Sequence, residues 1–357
     1  MNTSGDNESS EIIRLGINGF GRIGRCIARL AAIHPGFEIA AINELNDDVA
    51  NAAYLYNYDS THGRSDCPAE LAAKGEKVRF GDKEARFHCF ERCGDVPWSE
   101  SSVDILVDAT GITENISDCR LLTESGKIRK AIVTHSPEDG VDRYIIMGVN
   151  CDSYDPEKDD VVSTIICDTN AIAHVLKALD DEYGVASGFV TTLHPWLSYQ
   201  NLVDGPVAWQ SSPGAYWKDF SLGRSSIGSV IPKNTTAVSC LRPVLPHIEP
   251  RLSGFSYRIP TDVVCSADLS IALEKSIKLE SLRSFLESYF ADSPYVGVNY
   301  DPLVSVDFKG EPYSAVIDAR WLQLLADKMV KIVLWYDNEW GYSSRVLDMA
   351  RLMAKHW

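Results

Sequence analysis

The segment INGFGRIG, residues 17–24, places Gly19, Gly21 and Gly24 in the spacing Gly-x-Gly-x-x-Gly. A β-branched run precedes it, and helical periodicity follows in GRIGRCIARLAAIH. Glycines at such a strand-to-helix turn let backbone N–H groups and the helix N-terminus approach a pyrophosphate. The same spacing occurs in plain tight turns, so a second feature must support a dinucleotide site.

Glu44 is that second feature, because it lies twenty residues after Gly24, at the end of the next predicted strand, FEIAAINE. A carboxylate at this position accepts both ribose hydroxyls of the adenosine half and repels a 2′-phosphate. The two features together predict NAD, in preference to NADP, as the cofactor. The alternative is that Glu44 is a solvated loop acid.

The strand and helix patterns divide the chain into two domains. Strand and helix alternate up to about residue 166, with further buried-strand candidates in VDILVDATG, KAIVTH, YIIMGV and DVVSTII, which predicts a Rossmann-type, doubly wound parallel sheet. Later runs alternate in hydrophobicity with few helices between them (GFVTTLHP, SGFSYRIP, SADLSIALE, LVSVDF, SAVIDA, KMVKIVLWYDN), which favours a mainly antiparallel sheet. We predict an NAD-binding domain at 12–166, an α+β catalytic domain at 167–338, and a final helix at 339–357 that completes the first domain.

Composition excludes several classes of function. The 357 residues, 45% of them hydrophobic, are enough for two buried cores, and the net charge of −16 disfavours nucleic acid and anionic membranes as partners. No apolar run approaches the roughly 18 residues of a membrane span. Residues 1–11 lack a secretory signal and predict a disordered tail. Nine scattered cysteines predict a reduced, cytoplasmic setting, and no cluster has the spacing of metal ligands.

Cys167 lies in IICDTNAIAH, residues 165–174, where a β-branched run gives way to a predicted helix. A helix N-terminus and a nearby imidazole both lower the pKa of a thiol. His194 ends the next strand, GFVTTLH, so the return of the chain can bring it to Cys167 and form an ion pair. Such a pair beside a nucleotide domain suggests hydride transfer from a thiohemiacetal. Taken singly, a buried cysteine or a strand-end histidine is more often structural.

These motifs, in this order, closely resemble the glyceraldehyde-3-phosphate dehydrogenases. The resemblance runs from about residue 12 to 355 and includes INGFGRIGR, INE, YDSTHGR, the Cys167 segment, TTLH, YRIPT, SVDF and WYDNEWGYSSRVLD. The interval of 27 residues from Cys167 to His194 also matches. AINELNDD, LDDEYG and PLVSVDF look most like the erythrose-4-phosphate dehydrogenase branch.

The resemblance implies a homotetramer that oxidises a small aldehyde with NAD, with Cys167 as nucleophile and His194 as base and oxyanion donor. Asn338 would hold the nicotinamide carboxamide. The implied cofactor-binding residues are Gly19, Gly21, Arg22, Ile23, Gly24, Glu44, Thr110, Gly111, Asn338 and Tyr342. The substrate-binding candidates are Asp168, Thr235, Thr236, Arg224 and Arg258.

The chain departs from the family where the family binds phosphate. Serine before the nucleophile is Ile166 and threonine after it is Asp168, while a threonine three residues after His194 is Leu197. Two arginines before Arg224 are replaced by Ser221 and Leu222, and a glycine is replaced by Thr236, whereas Thr235 and Arg258 are kept. The resemblance therefore implies weaker phosphate binding than in the family.

Asp168 affects both the attacking anion and the thiol. Two like charges roughly 4 Å apart cost about 4 kcal/mol at an effective dielectric of 20, so we expect water to release the product as a free acid. The same charge favours the neutral thiol, which predicts low activity. The alternative is that Asp168 caps the helix with its side chain turned from the sulfur.

Two alternative functions remain open from the sequence. In the first, the enzyme is the ordinary phosphorylating dehydrogenase. In the second, the chain is a catalytically weak NAD-binding sensor or scaffold, although intact Cys167, His194 and Asn338 favour an enzyme. An insertion follows Asp204, near residues 205–217, and is rich in aromatic residues. The aromatic residues of the insertion are Trp209, Tyr216 and Trp217. Together with Trp196, they either form a wall of the substrate site or pack at a subunit contact.

Overall fold

A computed structural model of the chain describes residues 12–72, 76–208, 216 and 218–357. The predicted tail at 1–11 lies outside these ranges. The described helices are α1 (Arg22–Ile33), α2 (Val49–Asn57), α3 (Asn115–Glu124), α4 (Cys167–Tyr183), α5 (Leu279–Phe290) and α6 (Trp340–Ala354). None of these helices has the length and apolar character needed to cross a membrane.

The first half of the chain forms a nine-stranded sheet in the order β10-β11-β9-β8-β1-β2-β7-β6-β5, and β3 pairs separately with β4. The strands are β1 (Ile13–Asn18), β2 (Phe37–Asn43), β3 (Tyr58–Asp59), β4 (Gly63–Arg64), β5 (Ala69–Ala72), β6 (Lys77–Phe80), β7 (Lys83–His88), β8 (Ile105–Asp108), β9 (Lys130–Val133), β10 (Arg143–Tyr144) and β11 (Val161–Ser163). From β10 to β7 all pairs are parallel, which confirms the predicted doubly wound sheet. The antiparallel extension β5–β6–β7 was not predicted, because KVRF and KEARFH are short and mostly polar.

The second half forms an eight-stranded sheet in the order β13-β14-β12-β15-β19-β17-β16, with β18 also paired to β19. The strands are β12 (Val185–Pro195), β13 (Ile231–Lys233), β14 (Leu252–Ile259), β15 (Cys265–Leu273), β16 (Val296–Asn299), β17 (Ala315–Asp318), β18 (Gln323–Leu325) and β19 (Met329–Tyr336). The sheet is mainly antiparallel, as predicted, although β12–β14 and β16–β17 are parallel.

Two predicted strands are wrong, and side-chain hydrogen bonds to the backbone explain both. YIIMGV turns after Tyr144, because the Asn150 side chain accepts the N–H of Ile146 at 2.8 Å. LVSVDF forms a single 3₁₀ turn at Ser305–Phe308, where Asp307 accepts the N–H of Val304 at 2.8 Å. Short polar side chains that bond nearby backbone groups compete with strand pairing.

Each sheet has its own apolar core, and two helices connect the cores to the site. α4 is buried along most of its length in the core of the second sheet. α6 packs against α1 and contributes Val346, Met349 and Ala350 to the core of the first sheet. The last helix therefore returns to the first half of the chain, and its beginning lies close to the beginning of α1.

Candidate active site

A cleft of about 760 Å³ lies where the two halves of the chain meet. It is lined by the loop before α1, the beginning of α4, the end of β12 and the beginning of α6. Eight residues predicted from the sequence line it together, and they are Gly21, Arg22, Ile23, Thr110, Cys167, His194, Asn338 and Tyr342. Gly19 and Gly24, which are also predicted to bind the cofactor, are not among the residues that line the cleft.

The glycines shape the turn that opens α1. Gly19 has a φ of +88°, and a Cβ on Gly24 would lie 2.0 Å from the Gly19 carbonyl oxygen, so both positions require glycine. Gly21 is the N-cap of α1, and no described side chain caps this helix end. The free N–H groups of the first turn therefore face the cleft, where a pyrophosphate would be stabilised.

Glu44 is tied to the same turn. One carboxylate oxygen accepts the Phe20 N–H at 2.7 Å and the other accepts the Leu45 N–H at 2.8 Å. The carboxylate is thus fixed at the end of β2 beside the glycine turn, and its remaining lone pairs are available to ribose hydroxyls. Neither Glu44 nor Gly111 is among the residues that line the cleft, and Gly111 is exposed.

Asn338 is the residue that fits the nicotinamide end of NAD. Its side chain is 93% buried and lines the cleft, and its Oδ1 has no hydrogen-bond partner among the described residues. A buried amide oxygen without a donor is costly unless a ligand supplies one. A carboxamide NH₂ is such a donor, so the residues present fit the cofactor at both ends of the cleft.

The nucleophile is presented by a strained turn. Cys167 is the first residue of α4, and Ile165, two residues earlier, has a φ of +63°, which is rare for a β-branched residue. The Tyr342 hydroxyl donates to the Ile165 carbonyl at 3.0 Å, and the Ser163 hydroxyl accepts the Ile165 N–H at 2.9 Å. These contacts hold the turn in place, which is how a protein retains local strain at a functional site.

His194 is oriented toward the sulfur. Its Nε2 lies 4.0 Å from Cys167 Sγ, and its Nδ1 lies 2.8 Å from the Pro195 carbonyl oxygen. Because a carbonyl can only accept, Nδ1 carries a proton and the Nε2 lone pair faces the thiol. Burial, and then the charge of Arg258, lower the pKa of His194 to about 4, so the imidazole is neutral at neutral pH and its Nε2 is free to accept a proton.

Asp168 does not cap the helix. The N-cap is Ile166, while Asp168 lies in the first turn with its Oδ1 at 3.8 Å from Cys167 Sγ and 2.7 Å from the donating Tyr336 hydroxyl. Burial, followed by the Asp168 charge, raises the pKa of the Cys167 thiol well above its ordinary value. Both shifts favour a neutral thiol beside a neutral imidazole, and the ion pair expected from the sequence stays a prediction.

The substrate-side candidates are only partly assembled. Arg258 is buried on β14, directly opposite His194, with its Nη2 3.3 Å from the Tyr199 hydroxyl. Arg224 pairs with Asp204 and its side chain is 68% exposed. None of the five substrate-side candidates is among the residues that line the cleft, and they are Asp168, Arg224, Thr235, Thr236 and Arg258. Of the aromatic candidates, Trp196 lines the cleft, Tyr216 is exposed, and Trp209 and Trp217 lie outside the described residues.

An ion-pair network below the cleft was missed from the sequence, because its members are far apart in the chain. Arg22 donates to Glu339 at 2.7 Å and to Asp59 at 2.8 Å, and His62 contacts Glu339 at 2.9 Å. Cys26, His62 and Glu339 also place one potential metal-ligand atom each within 4.8 Å of one another, as do the nucleophile, Asp168 and His194. At the first triad the Arg22 charge on Glu339 opposes a bound cation.

Comparison with known proteins agrees with the geometry of this cleft. Residues 13–116 match the family described as "Glyceraldehyde 3-phosphate dehydrogenase, NAD binding domain", and residues 166–338 match "Glyceraldehyde 3-phosphate dehydrogenase, C-terminal domain". The chain therefore belongs to the glyceraldehyde-3-phosphate dehydrogenase family, and it is an NAD-dependent oxidoreductase of that type.

Individual relatives resemble the chain over nearly its whole length. The glyceraldehyde-3-phosphate dehydrogenase of Geobacillus stearothermophilus is 37% identical over 346 residues, which is 96% of this chain and 98% of the relative. That of Cryphonectria parasitica is 35% identical over 347 residues, and the protein named "Glyceraldehyde-3-phosphate dehydrogenase, cytosolic" of Craterostigma plantagineum is 36% identical over 346 residues, each with the same shares of both chains.

The fixed carboxylate of Glu44 gives a prediction about cofactor choice. Glu44→Gln keeps an acceptor for the Phe20 N–H but removes the charge that repels a 2′-phosphate. We expect the ratio of kcat/KM for NAD to that for NADP to fall about tenfold. Steady-state kinetics with both cofactors measures the ratio, and Glu38→Gln, in the strand β2 that precedes Glu44, is the matched control. An unchanged ratio would show that Glu44 does not select the cofactor.

Proposed function

We propose that this enzyme oxidises a small anionic aldehyde through a covalent adduct on Cys167 and releases the product by hydrolysis. The observation that supports the hydrolytic step is the carboxylate oxygen of Asp168 at 3.8 Å from Cys167 Sγ. The alternative is release by phosphate, as in the ordinary phosphorylating reaction.

His194 moves the protons of the oxidation. As Cys167 Sγ attacks the aldehyde carbon, Nε2 accepts the thiol proton, and the resulting imidazolium donates to the oxyanion to give a thiohemiacetal. When bound, NAD supplies the hydride acceptor. As the hydride leaves the carbon, Nε2 removes the hydroxyl proton, so a thioester remains on Cys167. The Nδ1 hydrogen bond to Pro195 holds the ring in one orientation through both transfers.

Asp168 favours water over phosphate at the thioester. Its carboxylate is held by the Tyr336 hydroxyl at 2.7 Å and borders the sulfur to which the acyl group is attached. A carboxylate can accept a proton from an attacking water, whereas its charge opposes the approach of a phosphate dianion.

The test is NADH formation from a panel of three- and four-carbon aldehydes, including the sugar phosphates, with and without inorganic phosphate. We expect equal rates in both conditions and a free acid as product. The panel also tests the erythrose-4-phosphate reading, which at present stays a prediction. Strict dependence on phosphate, with an acyl phosphate as product, would overturn hydrolytic release.

Asp168→Asn separates the two routes of release. Removing the charge is expected to lower the pKa of the Cys167 thiol, to slow hydrolysis about tenfold or more, and to make phosphate accelerate turnover. Burst and steady-state NADH formation at several phosphate concentrations measures these changes. Asp168→Glu, which retains the charge, is the control. If Asp168→Asn hydrolysed the thioester as fast as the unmodified protein, Asp168 would have no part in the step.

A catalytically weak NAD-binding sensor is the second candidate, because the pKa of the Cys167 thiol is raised by burial and by Asp168. A sensor would bind NAD without producing NADH from any aldehyde of the panel. Calorimetric titration with NAD alongside the kinetic panel distinguishes the two. The homotetramer and the cytoplasmic setting also stay predictions, and sedimentation velocity would decide the first by comparing the mass with the 39.5 kDa of one chain.

A further inference from the structure

Lys233 is a second, half-buried cation on the sheet that carries His194, and no sequence motif marked it. It ends β13, whose Ile231 lies opposite Arg258 and whose Lys233 lies opposite Ser256. On β14, Arg258 lies in turn opposite His194 of β12. Because side chains two residues apart point to the same face of a sheet, Lys233, Arg258 and His194 share one face.

That face is the buried one that meets α4. Thr192, Ser256 and Arg258 are buried on this face. The charge of Asp168, at the beginning of α4, favours the protonated forms of His194 and Lys233. Lys233 and Arg258 are diagonal neighbours across the β13–β14 pair, a separation that long side chains can bridge. Burial, followed by the charge of Arg258, lowers the pKa of Lys233 to about 8, so the ammonium form still prevails at neutral pH.

Neither cation is satisfied by a close carboxylate among the described residues. Arg258 Nε is buried without a partner, and its two other contacts are long and to neutral oxygens, 3.5 Å to the Pro195 carbonyl and 3.3 Å to the Tyr199 hydroxyl. The two acids whose charges act on Lys233 are Asp168 and Asp219. Asp168, however, is hydrogen-bonded to Tyr336, and Asp219 is hydrogen-bonded to Ser221. A buried guanidinium with incomplete hydrogen bonding, next to a half-buried ammonium, is costly unless an anion joins them.

We propose that Lys233 joins Arg258 to bind the anionic group of the aldehyde substrate. The inference rests on the proposed function and deepens it, since Arg258 contacts Tyr199, which lines the cleft, and Lys233 is the diagonal neighbour of Arg258. A second cation also accounts for anion binding in a chain that has Ser221 and Leu222 where the family has two arginines, and whose Arg224 pairs with Asp204. In this chain the second cation lies on β13 and not on the loop before Arg224.

Lys233 and Arg258 also act against nearby negative charge. Asp168 and Asp219 both act on Lys233, and Asp168 acts on His194 as well. The two cations therefore partly offset the acids near the nucleophile in a chain that carries −16 as a whole.

The first test uses chemical probes and needs no known substrate. Cys167 is alkylated with iodoacetate, an anion, and with iodoacetamide, its neutral analogue, and both rates are followed by peptide mass spectrometry. Lys233→Met is expected to lower the ratio of the iodoacetate rate to the iodoacetamide rate at least about threefold. Lys233→Arg should preserve the ratio, and Lys127→Met, an exposed lysine after α3, should leave it unchanged. An equal ratio in Lys233→Met and the unmodified protein would overturn the proposal.

The second test is kinetic. Lys233→Met should raise KM about ten- to hundredfold for phosphorylated or carboxylated aldehydes and leave KM for neutral short aldehydes unchanged. A change confined to the phosphate dependence of turnover would instead assign Lys233 to inorganic phosphate and overturn the proposal. If the unmodified protein oxidised no aldehyde, the proposed function would fail, while the alkylation ratio would still decide whether Lys233 forms an anion site.

Discussion

Replacing Cys167 with serine is expected to lower NADH formation about 10⁴-fold or more while NAD binding is retained. A serine hydroxyl is far less acidic than a thiol, and in this site even the thiol has a raised pKa because of burial and Asp168. With Sγ gone, His194 Nε2 at 4.0 Å has no proton that it can remove efficiently. The substitution is close to isosteric, so the strained turn before α4 should persist.

The measurement pairs steady-state kinetics with calorimetric titration of NAD. Cys151→Ser, at a half-buried cysteine that does not line the cleft, is the matched control and should keep full turnover. If Cys167→Ser retained more than about a tenth of the turnover, the reaction would not proceed through a covalent adduct at this position, and the hydrolytic and phosphorolytic schemes would fail together.

The parts of the site that were predictable from the sequence are those formed by local geometry. Gly19, Gly21 and Gly24 specify one turn within eight residues. Gly19 has a positive φ, Gly24 closely approaches the Gly19 carbonyl, and Gly21 is the N-cap of α1. Cys167 and His194 come from adjacent elements, α4 and β12, so the spacing along the chain was enough to expect their proximity. The doubly wound parallel sheet was predictable as well, because the alternation of strand and helix patterns is a local feature of the sequence.

The parts that could not be predicted depend on contacts between distant segments. The Tyr336 hydroxyl reaches Asp168 across 168 positions, and this contact turns the carboxylate toward the sulfur instead of the helix N-terminus. Lys233 becomes a neighbour of Arg258 only through the register of β13 on β14. The two wrong strand predictions have a local cause. Asn150 and Asp307 each accept a hydrogen bond from a nearby backbone N–H, and hydrophobic periodicity does not report such side-chain contacts.

His194→Asn is expected to lower kcat/KM about 10²- to 10⁴-fold, which is the usual effect of removing a general base. The pKa of His194 is lowered to about 4 by burial and then by Arg258, so the ring loses base function only when the pH falls through about 4. In the unmodified protein, kcat/KM should therefore be level between about pH 6 and 8. The variant must rely on the thiolate, and because the Cys167 pKa is raised, its kcat/KM should rise about tenfold per pH unit over the same range.

The difference in pH dependence distinguishes a base from a structural residue. A variant that merely loosened the end of β12 would lose activity equally at every pH, whereas loss of the base changes the slope. His174→Asn is the control, because His174 is buried on α4, bonded to Met147 and Asn170, with a pKa lowered to about 4 chiefly by burial, yet does not line the cleft. Parallel pH profiles for His194→Asn and the unmodified protein would show that His194 takes no part in proton transfer. The oxidation would then lack its proposed base.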